Sequence, residues 1–188
     1  MRVATGRPHA GRSPRAVLSH IASICLIAMI LAAAPVHGDQ RDVASIDTLT
    51  RCAAVIFEGQ VLEVRSEWNP EQTQIHTLVG LQVNECYKGA LSTNRLDLRF
   101  LGGTVGEMTM AVLGQPVFSP GEKVFLFLAP NHETRDFPVV AGEQGKLVIE
   151  EDPVSDTEVL SSPWMRIAKS SVVQTIDEVM RPVLQGSR

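Results

Sequence analysis

Few residues of this chain carry the chemistry that enzymes use most often. It has 5 histidines and 3 cysteines among 188 residues, and beyond residue 38 only His76, His132, Cys52 and Cys86 remain. A zinc site needs three or four ligands, and the sequence contains no His-Glu-x-x-His, no His-x-His and no paired Cys-x-x-Cys motif. The Gly-x-Ser-x-Gly and Ser-x-x-Lys motifs of serine hydrolases are also absent. We therefore expect neither a metal nor another cofactor.

The first 38 residues have the layout of a secretory signal peptide. Four arginines without an acidic residue precede the apolar run 24–34, and Val36-His37-Gly38 then offers a cleavage site. We expect cleavage after Gly38, a periplasmic or secreted location, and a single domain over 39–188. The alternative is an uncleaved N-terminal membrane anchor over 16–34, because this stretch is close to the ~20 residues that span a bilayer.

A basic surface is also missing. The whole chain has a net charge of −4, and without the four leader arginines 13 basic and 21 acidic residues remain, a net charge of −8. Nucleic-acid binding needs a basic face that neutralises phosphates, whereas the lysines and arginines here are scattered singly. We expect no nucleic-acid partner, and no membrane contact once the leader is removed. The acidic stretch 150–158 lacks the ligand spacing of a calcium loop and is interpreted as a solvated linker.

Period-two alternation predicts strands over 54–65, 75–85 and 95–101. A turn near Pro70 joins the first two into a long hairpin. Within the first strand, Leu62 and Val64 break the alternation, which indicates either a bulge or a strand whose far end is covered on both faces.

Later segments complete the predicted sheet. Residues 124–128 are apolar at every position and predict a central strand buried on both faces. Residues 139–140 and 147–149 predict a short hairpin. Helices are predicted after Ser45, through Cys52, and over 171–181, where a capping box precedes an apolar stripe that Pro182 should end or kink. The fold class is mainly β, a five- to six-stranded antiparallel barrel or sandwich with a helix at each end.

The two cysteines beyond the leader would meet an oxidising compartment, in which an even pair favours a disulfide. In the predicted hairpin Cys86 lies opposite Val55, three residues from Cys52. A disulfide needs Cα atoms within ~7 Å, so the chain would have to bend back before Val55. A Cys52–Cys86 disulfide and two independent buried thiols both remain open.

The connection 102–116 is the candidate interaction loop. Gly102 and Gly103 directly follow a strand, which favours a sharp corner over a phosphate-binding loop, since no helix start or Lys-Ser/Thr follows them. The loop is long for a compact domain and lacks evident internal structure. Gly106, Met108 and Met110 belong to it, and the methionines are adaptable apolar contacts if exposed.

Glu122 follows a Pro120-Gly121 pair suited to a type II turn. A carboxylate at the start of an apolar strand could be an acid of raised pKa, but more often it accepts hydrogen bonds from its own turn. His132 lies in a loop after that strand. A hydrolase that uses Glu122 with His132 is a third-ranked alternative.

Several of these segments, in this order, resemble a group of exported bacterial proteins with the netrin-like, OB-type barrel of the tissue inhibitors of metalloproteinases. The matching features lie over 53–149: residues 52–61, Glu85-Cys86-Tyr87-Lys88-Gly89, Gly102-Gly103, the Phe118-x-x-Gly121-Glu122 turn and Gln144-Gly145-Lys146. The resemblance implies an OB-like (netrin-like) five-stranded Greek-key barrel with terminal helices outside it. The inhibitors chelate zinc through an N-terminal cysteine, whereas the expected mature N-terminus here is Asp39.

Taken together, the sequence predicts an exported, non-catalytic β-barrel that acts as a binding or interaction module, with another exported protein as its partner. A protease inhibitor or an accessory domain of a secreted metalloprotease system is the second interpretation.

Overall fold

The computed structural model describes the backbone of residues 43–185 and the side chains as far as Arg181. The predicted leader, residues 1–38, lies outside the described residues, and its cleavage stays a prediction. Neither helix within 43–185 has the length and apolar character needed to cross a bilayer.

Nine strands and two helices make up the described fold, with short 3₁₀ turns at His132–Thr134 and Gly142–Gly145. In chain order these are α1 (Ile46–Cys52), β1 (Val55–Trp68), β2 (Ile75–Lys88), β3 (Arg95–Leu101), β4 (Gly103–Val105), β5 (Met108–Met110), β6 (Lys123–Leu128), β7 (Lys146–Asp152), β8 (Thr157–Ser162), β9 (Met165–Ala168) and α2 (Lys169–Gln185). Seven strands form one antiparallel sheet in the order β3-β2-β1-β6-β7-β8-β9, and β4 pairs with β5 in a small second sheet. The mainly β class is confirmed. Within residues 43–185 no ladder joins β3 to β9, so the sheet is open and the predicted barrel is not confirmed.

The β1–β2 hairpin is the framework of the sheet. Its turn falls between Trp68 and Ile75, as predicted from the residues around Pro70. The ladder shifts register between Val61 and Glu63, so Leu62 is the extra residue that the broken alternation indicated. The ladder also shifts register between Ile56 and Phe57 and between Glu58 and Gly59, where the start of β1 pairs with the end of β2.

Strand β6 separates two hydrophobic cores, because all five of its apolar side chains are buried. Val124, Leu126 and Leu128 face a core built with β1, β2 and β3. Phe125 and Phe127 face the other core, which the two helices cover. Burying a side chain of this size contributes roughly 1.5 to 3 kcal/mol. The prediction of a central strand covered on both faces is confirmed.

The two helices pack against the second core through Leu49 of α1 and Val172 and Ile176 of α2. Helix α2 begins at Lys169, two residues before the predicted start, directly after β9. It also continues to Gln185, so of the two predicted effects of Pro182, an end or a kink near Arg181, the end is wrong. A proline in the last turn removes one hydrogen bond at a helix end, where carbonyls already lack intrahelical partners.

The segment from 139 to 168 differs most from the sequence-based expectation. Val139 forms an isolated bridge with Leu128 and does not pair with 147–149, which instead belong to β7 beside β6. The acidic stretch 150–158 is no linker: it spans the β7–β8 hairpin, which pairs Glu150 with Val159 and Asp152 with Thr157. Short strands with charged outward positions have weak local signals, and their pairing is set by tertiary contacts.

Candidate functional site

The glycine corner after β3 is confirmed and positions the β4–β5 hairpin. Gly102 has φ +100 and Gly103 has φ +135, values that side chains resist. A Cβ on Gly103 would lie 2.4 Å from Thr77 Oγ1 and 2.5 Å from Ser66 Oγ. The backbone therefore crosses the end of the β1–β2 hairpin at a distance that only glycine allows. Thr77 Oγ1 holds it there by donating to the Gly102 carbonyl at 2.8 Å.

Beneath the hairpin lies a cleft of about 430 Å³. Volumes in this range are typical of ligand-binding clefts. The rings of Phe100 and Phe118, with centroids 5.1 Å apart, form part of its wall. The hydroxyls of Ser66 and Thr77, 3.0 Å apart, are its side-chain polar groups together with Gln115 and Thr104. The other lining residues are Val64, Leu101, Gly102, Gly103, Met110, Val112, Pro116 and Val117.

Large apolar side chains are exposed on the segment 108–117, which lines part of this cleft. Met108 is 60% exposed, Leu113 is 90% exposed and Val117 is 80% exposed. Met110 and Val112 are half-buried in the cleft wall. We call these five residues the apolar surface. We expected this loop to lack regular structure, and that expectation is wrong, since Met108–Met110 forms β5. Met108 nevertheless does not turn into the core.

A backbone hydrogen bond and a side-chain hydrogen bond anchor the loop that carries the apolar surface. The Gly114 carbonyl accepts from the Glu143 N–H at 2.8 Å. Gln115 Nε2 donates to the Asp136 carbonyl at 2.9 Å. A smaller cleft of about 240 Å³, lined in part by Trp164, lies on the other side of 115–117. The exposed side chains are therefore presented from a loop tied to the fold at several points, which lowers the entropy cost of binding.

Glu122 has two partners that give it a structural role. Its carboxylate lies 2.8 Å from Lys146 Nζ through both oxygens, and both side chains are mostly buried. It also accepts from the Ser119 N–H at 3.2 Å, within its own turn. Gly121 has φ +85, as the predicted type II turn requires. Lys146 Nζ lies 4.8 Å from the Phe118 ring centroid and donates to the Val117 carbonyl. The pair thus supports one wall of the cleft.

The structure does not bring His132 to Glu122. Glu122 precedes β6 and His132 follows it, so roughly 17 Å of strand separates their ends. His132 is buried, with Nδ1 3.2 Å from the Ala129 carbonyl oxygen. Its Nε2 has no hydrogen-bond partner among the described residues. No acid–base pair is assembled from these two residues.

Cys52 and Cys86 are free thiols and both are exposed. Cys86 lies opposite Phe57, not Val55, so the register of the hairpin at this point differs by two residues from the predicted one. Cys86 Sγ lies 3.3 Å from the Lys88 carbonyl oxygen. The expectation of buried thiols is wrong, and the alternative of a disulfide is not seen.

Besides the Glu122–Lys146 pair, the fold holds a charged cluster around Lys169 that the sequence did not predict. Lys169 Nζ contacts the carboxylates of Glu58 and Glu158, the latter at 2.7 Å. Tyr87 donates its hydroxyl to Glu58 at 2.8 Å and lies 3.0 Å from Glu85. Burial, followed by these carboxylates, raises the pKa of Tyr87 well above its usual range. The only local signal was a carboxylate on the polar face of β1, because its partners come from distant parts of the chain.

A scan against protein-family models and searches of curated proteins and solved structures each returned no match. Among the described side chains, no three His, Cys, Asp or Glu residues converge so as to hold a metal ion.

Proposed function

We propose that this protein is an exported, non-catalytic binding module, and that it holds an apolar segment of another exported protein on its apolar surface. The observation that carries the proposal is the exposure of Met108, Leu113 and Val117 beside an apolar cleft. A single exposed apolar residue is ordinary, whereas here three lie within one ten-residue segment, 108–117, that also lines a cleft, as is typical of interaction sites.

The partner chemistry follows from the lining. Aromatic and aliphatic side chains make up most of the cleft, with the Ser66 and Thr77 hydroxyls as orienting groups. An apolar side chain of the partner would fill the cleft, and Leu113 would contact its flank. The residues that bind would be those of the apolar surface, and no cofactor is needed.

The netrin-like relationship belongs to the same proposal. It is supported by the antiparallel sheet and by terminal helices that pack together on the outside of one sheet face. The barrel itself would require a closure between β3 and the far strands.

One observation favours the second candidate, a protease inhibitor or accessory domain. Leu113 projects from a loop whose next two residues, Gly114 and Gln115, are hydrogen-bonded to the rest of the fold. An anchored loop presenting one bulky apolar side chain suits an apolar protease subsite, because little ordering is paid on binding. Inhibition of a secreted protease by the mature chain, and its loss in Leu113→Gly, would support this role.

Quantitative affinity capture tests the main proposal. The mature chain, residues 39–188, is used as bait with culture medium and periplasmic extract of the producing cells. Leu113→Asp is compared with Val154→Asp, because Val154 is 94% exposed in the β7–β8 turn and both changes add one negative charge. We expect a partner that wild type and Val154→Asp recover equally and that Leu113→Asp recovers at least about tenfold less. Equal recovery by both variants would contradict the proposal.

A further inference from the structure

Methionine is distributed unevenly over the described fold. Four methionines lie within residues 43–181, and two of them, Met108 and Met110, are in β5. Met108 is 60% exposed and Met110 lines the cleft. The other two, Met165 and Met180, pack against the helix-covered core. Met108 is therefore the most exposed of the four methionines, and Met110, which is partly buried like Met165 and Met180, lines an open cleft instead of packing against a core.

We propose that Met108 and Met110 form an oxidation-sensitive site that switches off binding at the apolar surface. The inference rests on the proposed function. In the reaction, a lone pair on the Met108 Sδ attacks one oxygen of a peroxide, the O–O bond breaks and a sulfoxide S–O bond forms. The sulfur is oxidised by two electrons and the peroxide is reduced. With hydrogen peroxide, the oxygen that binds the sulfur loses its proton, and the other oxygen leaves as hydroxide and takes up one proton to become water.

The geometry explains why this change affects binding more than folding. Met108 has little protein around it, so its sulfoxide meets water and costs the fold little. A sulfoxide is polar and chiral, and it replaces a flexible apolar contact. At Met110 the new oxygen would stand in the cleft among Phe118 and Val112. A partner that buries either side chain would have to desolvate the sulfoxide.

The expected loss is large. Burial of one methionine side chain changes an affinity by roughly tenfold or more, and the sulfoxide forfeits that gain. Oxidation of Met165 or Met180 would instead disturb the helix-covered core. The order in which the four methionines are oxidised therefore distinguishes a loss of binding from a loss of folding.

The test uses the mature chain carrying Cys52→Ser and Cys86→Ser, since peroxide would also oxidise these exposed thiols. Samples are treated with hydrogen peroxide, and peptide mass spectrometry follows the addition of one oxygen at each methionine. Nile red serves as the probe of the apolar surface, because it is neutral and the acidic chain does not repel it. Met108→Leu/Met110→Leu is the matched variant, a volume-conserving change that keeps the apolar contacts but has no thioether at these positions.

We expect Met108 to be oxidised several-fold faster than Met165 and Met180, with Met110 next. Nile red binding should fall roughly tenfold in step with these two events. Binding by the leucine variant, compared with its own untreated sample, should not change under the same treatment. Oxidation of the core methionines first, or undiminished binding by chains oxidised at Met108 and Met110, would overturn the inference. Absence of Nile red binding before oxidation would instead contradict the proposed function, and the order of oxidation would still decide whether the site exists.

Discussion

Replacing Lys169 with methionine should destabilise the fold by an amount that the geometry sets. The Lys169 side chain is 17% exposed and that of Glu58 is 14% exposed, so the change leaves a mostly buried carboxylate with Tyr87 as its remaining partner. Removing one member of a fully buried ion pair costs about 3 to 5 kcal/mol. Because both side chains keep some contact with water and the tyrosine still donates, we expect a loss of about 2 to 3 kcal/mol in unfolding free energy.

Urea unfolding, followed by tryptophan fluorescence and circular dichroism, measures this loss. Arg166→Met is the matched control, since it also removes one cation from an ion pair, but Arg166 and Glu150 are 48% and 45% exposed. It should cost less than about 0.5 kcal/mol. Adding Glu58→Gln to Lys169→Met should restore roughly 1 to 2 kcal/mol, because the unpaired charge is then gone.

The same variant predicts a pH dependence. Burial opposes the charge of Lys169, but its hydrogen bonds to Glu158 and Glu58 outweigh burial and raise its pKa above the ordinary value. A raised pKa in the folded state means that the contribution is fully present below about pH 10.4 and is lost as pH rises through the folded-state pKa. The stability difference between wild type and Lys169→Met should therefore hold through neutral pH and shrink above that point. A variant as stable as wild type at neutral pH, or a cost as large for Arg166→Met, would refute the reasoning.

Three further predictions concern the site and its supports. Gly103→Ala should destabilise the fold by about 2 to 4 kcal/mol in urea unfolding, because its Cβ would collide with two side-chain hydroxyls. Gly106→Ala is the control: its Cβ meets no atom within 4 Å, and at φ +60 the change should cost about 1 kcal/mol. Equal costs for the two variants would contradict the close approach of the Gly103 backbone to the β1–β2 hairpin. Lys146→Met should reduce Nile red binding because the cleft wall loses its support, whereas unchanged binding would show that the wall stands without the ion pair. Cys52 and Cys86 should both react with a thiol reagent in the native, reduced chain, and protection of either would contradict its exposure.

Much of the sheet was predictable because its signals are local. Residues 124–128 are apolar at every position, and that run cannot be placed at a surface. Leu62 breaks a strict alternation, and the ladder shifts there. Strand β9 was missed because it has only four residues, and β8 because polar residues flank its two buried positions, Val159 and Leu160. The pairing of Glu150 with Val159 depends on a turn that composition alone marks as a linker.

The candidate site was predictable in outline only. The Gly102-Gly103 pair marked the corner, but the three-residue strands β4 and β5 are too short to show a period. The ion pairs of Glu122 with Lys146 and of Glu58 with Lys169 join residues distant in sequence. No local pattern identifies such pairs, since the sheet must form before their charges meet.

Site-specific photocrosslinking tests the central claim, that the apolar surface is where this protein binds its partner. A photoreactive phenylalanine analogue is placed at Leu113 or, as control, at Val154, both of which are almost fully exposed. In the cells that produce the protein, irradiation should yield a discrete adduct with another exported protein from position 113 and none from position 154. Adducts that are equal at both positions, or that arise at 154 alone, would contradict it.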